Sequence, residues 1–285
     1  MGKWIRNRQQ RLWAAVIVAI ALFWIPIAIA QPVVPDEMFW GRRFALSSEP
    51  RALEAQPRPT DHCPVPVSTD NLLAVNWQPA FCQTHQEKPE CQSQDASDFD
   101  ANHFTLHGLW PQPPAKAYCC LPSNFPKEPW SSQPNFDHAL AEETLTLLRD
   151  GRRMPGVASF LHRHEWYKHG TCYNPSSDTP EQEYFEEALA LLKQLNHSSV
   201  QRLFASRIGK RLSLVEIRAA FNQAFGPGAG NKVNLKCKGR LIHELWINLA
   251  GDIQADSQLA TLLAPAKDAQ SQCRSGRVDP VGFSL

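Results

Sequence analysis

The stretch HEWYKHGTC, His164 to Cys172, packs two histidines, a glutamate and a lysine into six positions. On a helix, successive residues turn by about 100°. With His164 at zero, Glu165 lies near 100°, Lys168 near 40° and His169 near 140°, so all four share one arc of roughly 140°. Trp166 and Tyr167 project away from that arc, where a core would take them. One face is titratable and the other is built for packing. A helix here decides the fold class, because strand-like runs flank it on both sides of the chain.

The stretch falls one residue short of a metal site. The zinc-protease pattern H-E-x-x-H needs histidines at i and i+4. Here they stand at i and i+5, about 140° apart on a regular helix, with the cation of Lys168 between them. No metal is expected. The plain alternative is a solvated polar face, which surface helices commonly present.

Before the motif, NLLAVNWQPAFC reads as a buried strand ending at Pro79, and FTLHGLW reads as a strand that stops at Gly108 and Pro111. Residues 111–135, rich in proline, read as a long irregular loop. Four helices are expected: about 137–149; about 157–169, carrying the motif; one opening with Thr179, Pro180 and Gln182; and one opening with Ser213 and Glu216 and ending at Gly226-Pro227. VNLKC and RLIHELWINLA then read as a hairpin. Strand, helices and strands in that order predict a single α+β domain, an antiparallel sheet with helices packed on one side.

Three regions follow along the 285 residues. Residues 1–30 read as a signal peptide: basic residues to Arg11, an apolar run, a break at Pro26, then Ala28-Ile29-Ala30. The alternative is an uncleaved membrane anchor through residues 12–30. Residues 31–61 read as a flexible Pro-rich linker, and residues 62–285 as the globular domain. The formal charge is +1, and it becomes −3 without residues 1–30, which hold four basic residues and no acid. No broad basic surface therefore advertises nucleic acid, and a polyanion must be held by a local site.

The eight cysteines are Cys63, Cys82, Cys91, Cys119, Cys120, Cys172, Cys237 and Cys273. An even count in an exported chain implies disulfides and a periplasmic or secreted location. Cys119 and Cys120 are adjacent and should bond to different partners.

FTLHGLWP adds chemistry of its own. Period-2 alternation puts Phe104 and Leu106 on one face and Thr105 and His107 on the other. Gly108 permits close approach of a ligand or another backbone. Trp110 is a flat plate that suits base stacking, although such residues more often fill a core.

FTLHGLWP and HEWYKHGTC together resemble the two active-site segments of the ribonuclease T2 family, in the right order and about sixty residues apart. The Trp77–Cys82 segment and the paired cysteines fit as well, and the likeness runs from Cys63 to Cys273. The bacterial exported members are the most similar. The resemblance implies cleavage of single-stranded RNA through a 2′,3′-cyclic phosphate, with possible hydrolysis to a 3′-phosphate. It implies no metal, no cofactor and no stable protein partner. By position in the motifs, His169 is the base and His107 the acid, His164 binds phosphate, and Glu165 and Lys168 stabilise the transition state. The residues alone do not tell acid from base. Trp110 would stack on the base 5′ to the scissile bond.

Two departures from the family pattern point to weak base preference. Gln112 stands where some members carry an acid, and Leu161 where some carry a stacking Phe. Asn76 is a further candidate for the downstream base. The resemblance also implies the bridges Cys82–Cys91 and Cys237–Cys273, with Cys172 bonded to one of the adjacent pair and Cys63 to the other. Other histidines, such as His62, His138 and His243, read as surface residues. A catalytically dead relative is the main alternative; such a chain is expected to lose His107 or His169, and both are present.

Overall fold

Strand β1 (Asp70–Asn76) lies at the centre of a sheet and pairs antiparallel with β2 (Thr105–Pro111) on one side and β5 (Leu241–Ala250) on the other. The structure is a computed structural model, and it describes residues 68–174 and 177–283. The readings of residues 1–30 and 31–61, and of Cys63 and His62, lie outside the described residues.

β4 (Val233–Lys238) forms the expected hairpin with β5. β6 (Ser275–Arg277) meets β5 in parallel at Leu241 and pairs antiparallel with β3 (Arg211–Ser213). Cross-strand register puts Leu73 opposite Leu109 and Ile247, and Val75 opposite Leu106 and Leu245. Paired residues share a face of a sheet, so these six apolar side chains form one surface, and all six are fully or almost fully buried. Each contributes roughly 1.5–3 kcal/mol on leaving water. The chain is a disulfide-bonded α+β domain.

The helices are α1 (Gln78–Cys82), α2 (Pro89–Gln92), α3 (Glu142–Arg149), α4 (Leu161–Lys168), α5 (Pro180–Asn196), α6 (Ser199–Ser206), α7 (Leu214–Phe225) and α8 (Leu259–Leu263). Helix α5 guards the edge of the sheet. The Asn196 side chain accepts from the Phe104 N–H and donates to its carbonyl, and the Tyr184 hydroxyl accepts from the Leu109 N–H. A free edge strand invites pairing with another chain, and these contacts occupy it.

Several expected boundaries move. The first strand stops at Asn76, and Pro79 opens α1 near its N-terminus, because proline fits a first helical turn better than a central strand. The helix expected from residue 137 begins as a 3₁₀ turn, with α3 starting only at Glu142. The capping box of Ser213 and Glu216 forms as read. The one expected at Thr179 does not, because Gln182 instead accepts from the Ala141 N–H and donates to Thr144 and Glu186. Helix α6, capped by Ser198, was not expected from the sequence.

Disulfides join Cys82 to Cys91, Cys237 to Cys273 and Cys119 to Cys172. Of the adjacent pair, Cys119 is therefore the partner of Cys172. Cys120 is disulfide-bonded too.

Candidate active site

A β-bulge places His107. Gly108 pairs with Ala74 and Leu106 with Val75, so His107 has no residue opposite it on β1. A bulge bends the strand and re-aims the side chain at the extra position. Strict alternation therefore fails beyond this point: Leu106 and Leu109, three apart, share the buried face.

The re-aimed imidazole stands between two carboxylates. Its Nδ1 is 2.8 Å from Glu244 Oε1, and its Nε2 is 3.5 Å from Glu165 Oε1. The second Glu244 oxygen accepts from the Trp246 indole N–H at 2.6 Å. Burial alone would push the His107 pKa down, but the Glu244 hydrogen bond and the charges of Glu165 and Glu244 outweigh it and the net shift is upward. Glu244 moves the other way: burial raises it, His107 and His243 overcome that, and it ends below the ordinary carboxylate range.

Helix α4 supplies the other groups. It is shorter than the sequence suggests, because Phe160 adopts a left-handed backbone (φ 66°) and separates it from a 3₁₀ turn at Pro155–Ser159. After Lys168 the chain tightens through His169 into a second 3₁₀ turn at Gly170–Cys172. Gly170 is required there, since a Cβ would lie 2.0 Å from the Trp166 ring. Cys172 is tied to Cys119, and the Tyr118 N–H donates to the Lys168 carbonyl at 2.8 Å. The irregular loop thus fixes the end of the helix.

The polar arc of α4 is not a solvated face. Glu165 is 1% exposed, His169 7% and His164 9%. Glu165 accepts from the Trp110 indole N–H at 2.6 Å. His169 stacks on Trp110 at 5.2 Å, and Trp130 stacks on His164 at 4.5 Å. Lys168 Nζ lies 3.5 Å from His164 Nε2. Burial, then the Lys168 charge, lowers His164 to about 4. The same two causes hold His169 far below the usual imidazole range. Burial pushes Glu165 up against the pull of His107, the Trp110 N–H and Lys168.

Gly108 does permit close approach, and the group that uses it is the Glu165 carboxylate. A Cβ there would sit 1.9 Å from Glu165 Oε2.

The structure therefore brings His107, Trp110, His164, Glu165, Lys168 and His169 into one cluster. The other candidates lie around it. Asn76 is opposite Glu244 and Thr105 in register, and its buried Oδ1 has no partner among the described residues. Gln112 donates its side-chain amide to the Trp110 carbonyl. Leu161 opens α4 and packs over Gly156. His138 is exposed as expected. His243 is not a surface residue: its side chain is 15% exposed and its Nδ1 is 4.0 Å from Glu244.

Glu244 is the residue the sequence reading missed. Its signal is an acid inside the apolar run RLIHELWINLA, on the strand face shared with Trp246 and Asn248. A charge at such a place is rarely buried without a partner.

Comparison with known proteins agrees with this geometry. The model of the Ribonuclease T2 family matches residues 70–262. Ribonuclease I of Escherichia coli (strain K12) is 28% identical over 214 residues, covering 68% of this chain and 78% of that enzyme. Ribonuclease T2-A of Mus musculus is 30% identical over 164 residues, 54% of each chain. Extracellular ribonuclease LE of Solanum lycopersicum is 32% identical over 154 residues, 53% of this chain and 62% of that one. This chain therefore spans just over half the length of the mouse relative. The crystal structure of Actibind, a T2 ribonuclease, superposes with a TM-score of 0.50 at 18% identity, covering 81% of this chain and 94% of that one, a likeness of fold. Both histidine segments lie inside the matched span, and with two thirds of its sequence covered the chain belongs to the ribonuclease T2 family.

Proposed function

We propose that this endoribonuclease cleaves single-stranded RNA by transphosphorylation, with His169 as general base, His107 as general acid and no metal. The observation that carries the reading is the opposite environment of the two imidazoles. His107 lies between two carboxylates and is biased toward the imidazolium, a proton donor. His169 is buried beside Lys168 and is biased toward the neutral form, a proton acceptor. Groups whose surroundings push their pKa values apart divide acid and base work between them. These opposite environments support the division that the residues alone left open.

In the proposed step His169 takes the proton of the ribose 2′-hydroxyl, and the oxygen attacks phosphorus. His107 gives a proton to the departing 5′-oxygen. The product is a 2′,3′-cyclic phosphate, and attack of water on it in the reverse sense would give a 3′-phosphate. Lys168, His164 and Glu165 are close enough to one another to face the phosphoryl oxygens as charge builds. The test is incubation with RNA in the presence of EDTA, followed by analysis of product ends. Cyclic or 3′-phosphate ends formed at an undiminished rate are expected. Loss of activity with chelator, or 5′-phosphate ends, would overturn the reading.

Lys168→Ala should lower kcat more than it raises KM, because its charge matters most when phosphorus is five-coordinate. Steady-state kinetics on a dinucleotide decide this, and a raised KM alone would make Lys168 a ground-state contact.

Base preference is proposed to be weak. Gln112 offers both a carbonyl and an amide to a base, Leu161 lacks an aromatic face, and Trp110 would supply stacking of about 1–3 kcal/mol to any base. The unpartnered Asn76 amide oxygen suits a substrate donor. A dinucleotide series differing in the 5′ base should show kcat/KM ratios below about a hundredfold, and Gln112→Asp should widen them. A wider spread in the parent protein would mean that another group reads the base.

The disulfides and the likeness to an enzyme named as extracellular support an exported location, periplasmic or secreted. An uncleaved segment 12–30 would instead anchor the domain to a membrane.

A further inference from the structure

We infer that Glu244 is a positioning residue for His107: it accepts the Nδ1 proton and so commits Nε2 to deliver the proton to the leaving oxygen. The inference rests on the assignment of His107 as the acid.

The geometry has three parts. Glu244 Oε1 is 2.8 Å from His107 Nδ1, a hydrogen-bond distance, whereas the nearest carboxylate to Nε2 is 3.5 Å away, too far for a good one. Glu244 cannot swing away freely, because its other oxygen is held by the Trp246 indole N–H and the residue is buried. The β-bulge leaves His107 without a cross-strand neighbour, so its aim is not fixed by the sheet. A side chain freed by a bulge needs an outside contact to hold one orientation, and Glu244 is that contact.

The proton account closes. The imidazolium carries protons on both nitrogens. As the P–O5′ bond breaks, its electron pair goes to the 5′-oxygen, which takes the Nε2 proton. His107 is left neutral with Nδ1–H still donated to Glu244. Nε2 then has its lone pair free to accept a proton from water when the cyclic phosphate is hydrolysed, or from solvent before the next turnover.

The groups around His107 that bear on its titration are Glu165, Lys168, His164 and His169 from α4 and its end, and Glu244 and His243 from β5. Glu244→Gln keeps the shape and removes one negative charge. It should lower kcat on a dinucleotide by about ten- to a hundredfold while leaving KM unchanged, less than the roughly 10² to 10⁴ of losing the acid itself. It should also move the alkaline limb of the kcat/KM profile to lower pH, since the charge that favours the imidazolium is gone. Nitrogen NMR of labelled histidine should show His107 protonated at Nδ1 in the parent protein and as a tautomer mixture in the variant.

Trp246→Phe releases the second Glu244 oxygen without touching either charge. Glu244 then loses its fixed orientation, so the His107 Nδ1 tautomer should become less dominant in the nitrogen spectrum, and this readout serves if Glu244→Gln does not fold. An unmoved alkaline limb with an unchanged His107 tautomer in the folded variant would overturn the inference, even if kcat fell. His107→Ala separates the two failures. If it stays active, the acid assignment is wrong; if it is inactive while Glu244→Gln behaves as the parent, only the role of Glu244 is wrong.

Discussion

Alanine at His107 or at His169 should lower the rate of RNA cleavage by about 10² to 10⁴ and leave a folded protein. Both imidazoles are asked to move a proton in the same step, so losing either removes most of what the pair achieves, and the double variant should be little worse than the poorer single one. The structural costs differ. His169 makes a ring contact with Trp110, and its buried Nδ1 has no partner among the described residues, so its loss leaves no hydrogen bond broken at that atom. His107 gives up the Glu244 bond, but Glu244 keeps the Trp246 N–H. That variant should lose on the order of 1 kcal/mol, the net worth of a hydrogen bond, while remaining cooperative in thermal unfolding. Rates on a dinucleotide, paired with melting curves, check both. Near-parental activity in either variant with a normal melt would remove that histidine from the mechanism.

Gly108→Ala should damage stability and activity together, although alanine is the smallest possible change. The new Cβ would lie 1.9 Å from Glu165 Oε2 and 2.7 Å from Trp110 Nε1, the two ends of one hydrogen bond. Neither backbone can retreat easily. Gly108 is paired with Ala74 on one side of β2, whose outer side is held by α5 through Tyr184, and Glu165 lies mid-helix with almost no exposure. Overpacking of this kind costs about 1–3 kcal/mol, and a buried carboxylate stripped of its donor costs about 1–3 kcal/mol more. A fall of several degrees in Tm is therefore expected, with a loss of activity of more than about tenfold, since a misplacement of about 1 Å can cost a hundredfold. The decisive control is a double-mutant cycle with Glu165→Ala. Removing the carboxylate makes room for the methyl, so the stability losses should be strongly non-additive. Additive losses would place the strain elsewhere.

Much of this was legible in the residues, for reasons that can be named. The hairpin of β4 and β5 and the capping box of Ser213 follow local rules, and local rules were enough. The arc of His164, Glu165 and Lys168 was legible because helical geometry turns their spacings into one direction, and His169 follows at the end of the helix. The bulge at His107 was not read, because a glycine inside a strand marks a bulge or a close approach alike, and the sequence reading of Gly108 takes the second alone. The bulge is a property of how β2 pairs with β1, two segments about thirty residues apart in the chain. The Thr179 box failed in the same way: Gln182 found tertiary partners on the segment around Thr144, and a local rule lost to a distant contact. Glu244 stands 137 residues from His107. Its place in an apolar strand marked it as unusual, but only the fold named its partner.

The bond between Cys119 and Cys172 also gives the enzyme a timetable. It is the covalent tie on the turn that follows His169, linking it across 53 residues to the loop that receives the Lys168 carbonyl. Cytosolic reductants keep such thiol pairs open, and oxidising compartments close them. While the pair is open, no covalent tie holds the turn after His169, which rests on a helix end, the Tyr118 N–H bond to the Lys168 carbonyl and the stack on Trp110, and helix ends are the kind of segment that frays first. The ribosomes and messages that make this chain are themselves RNA. On the proposed exported location, a site whose last tie forms only under oxidation would mature away from the transcripts that encode it, so the same cross-link that steadies the catalyst would also shield its maker.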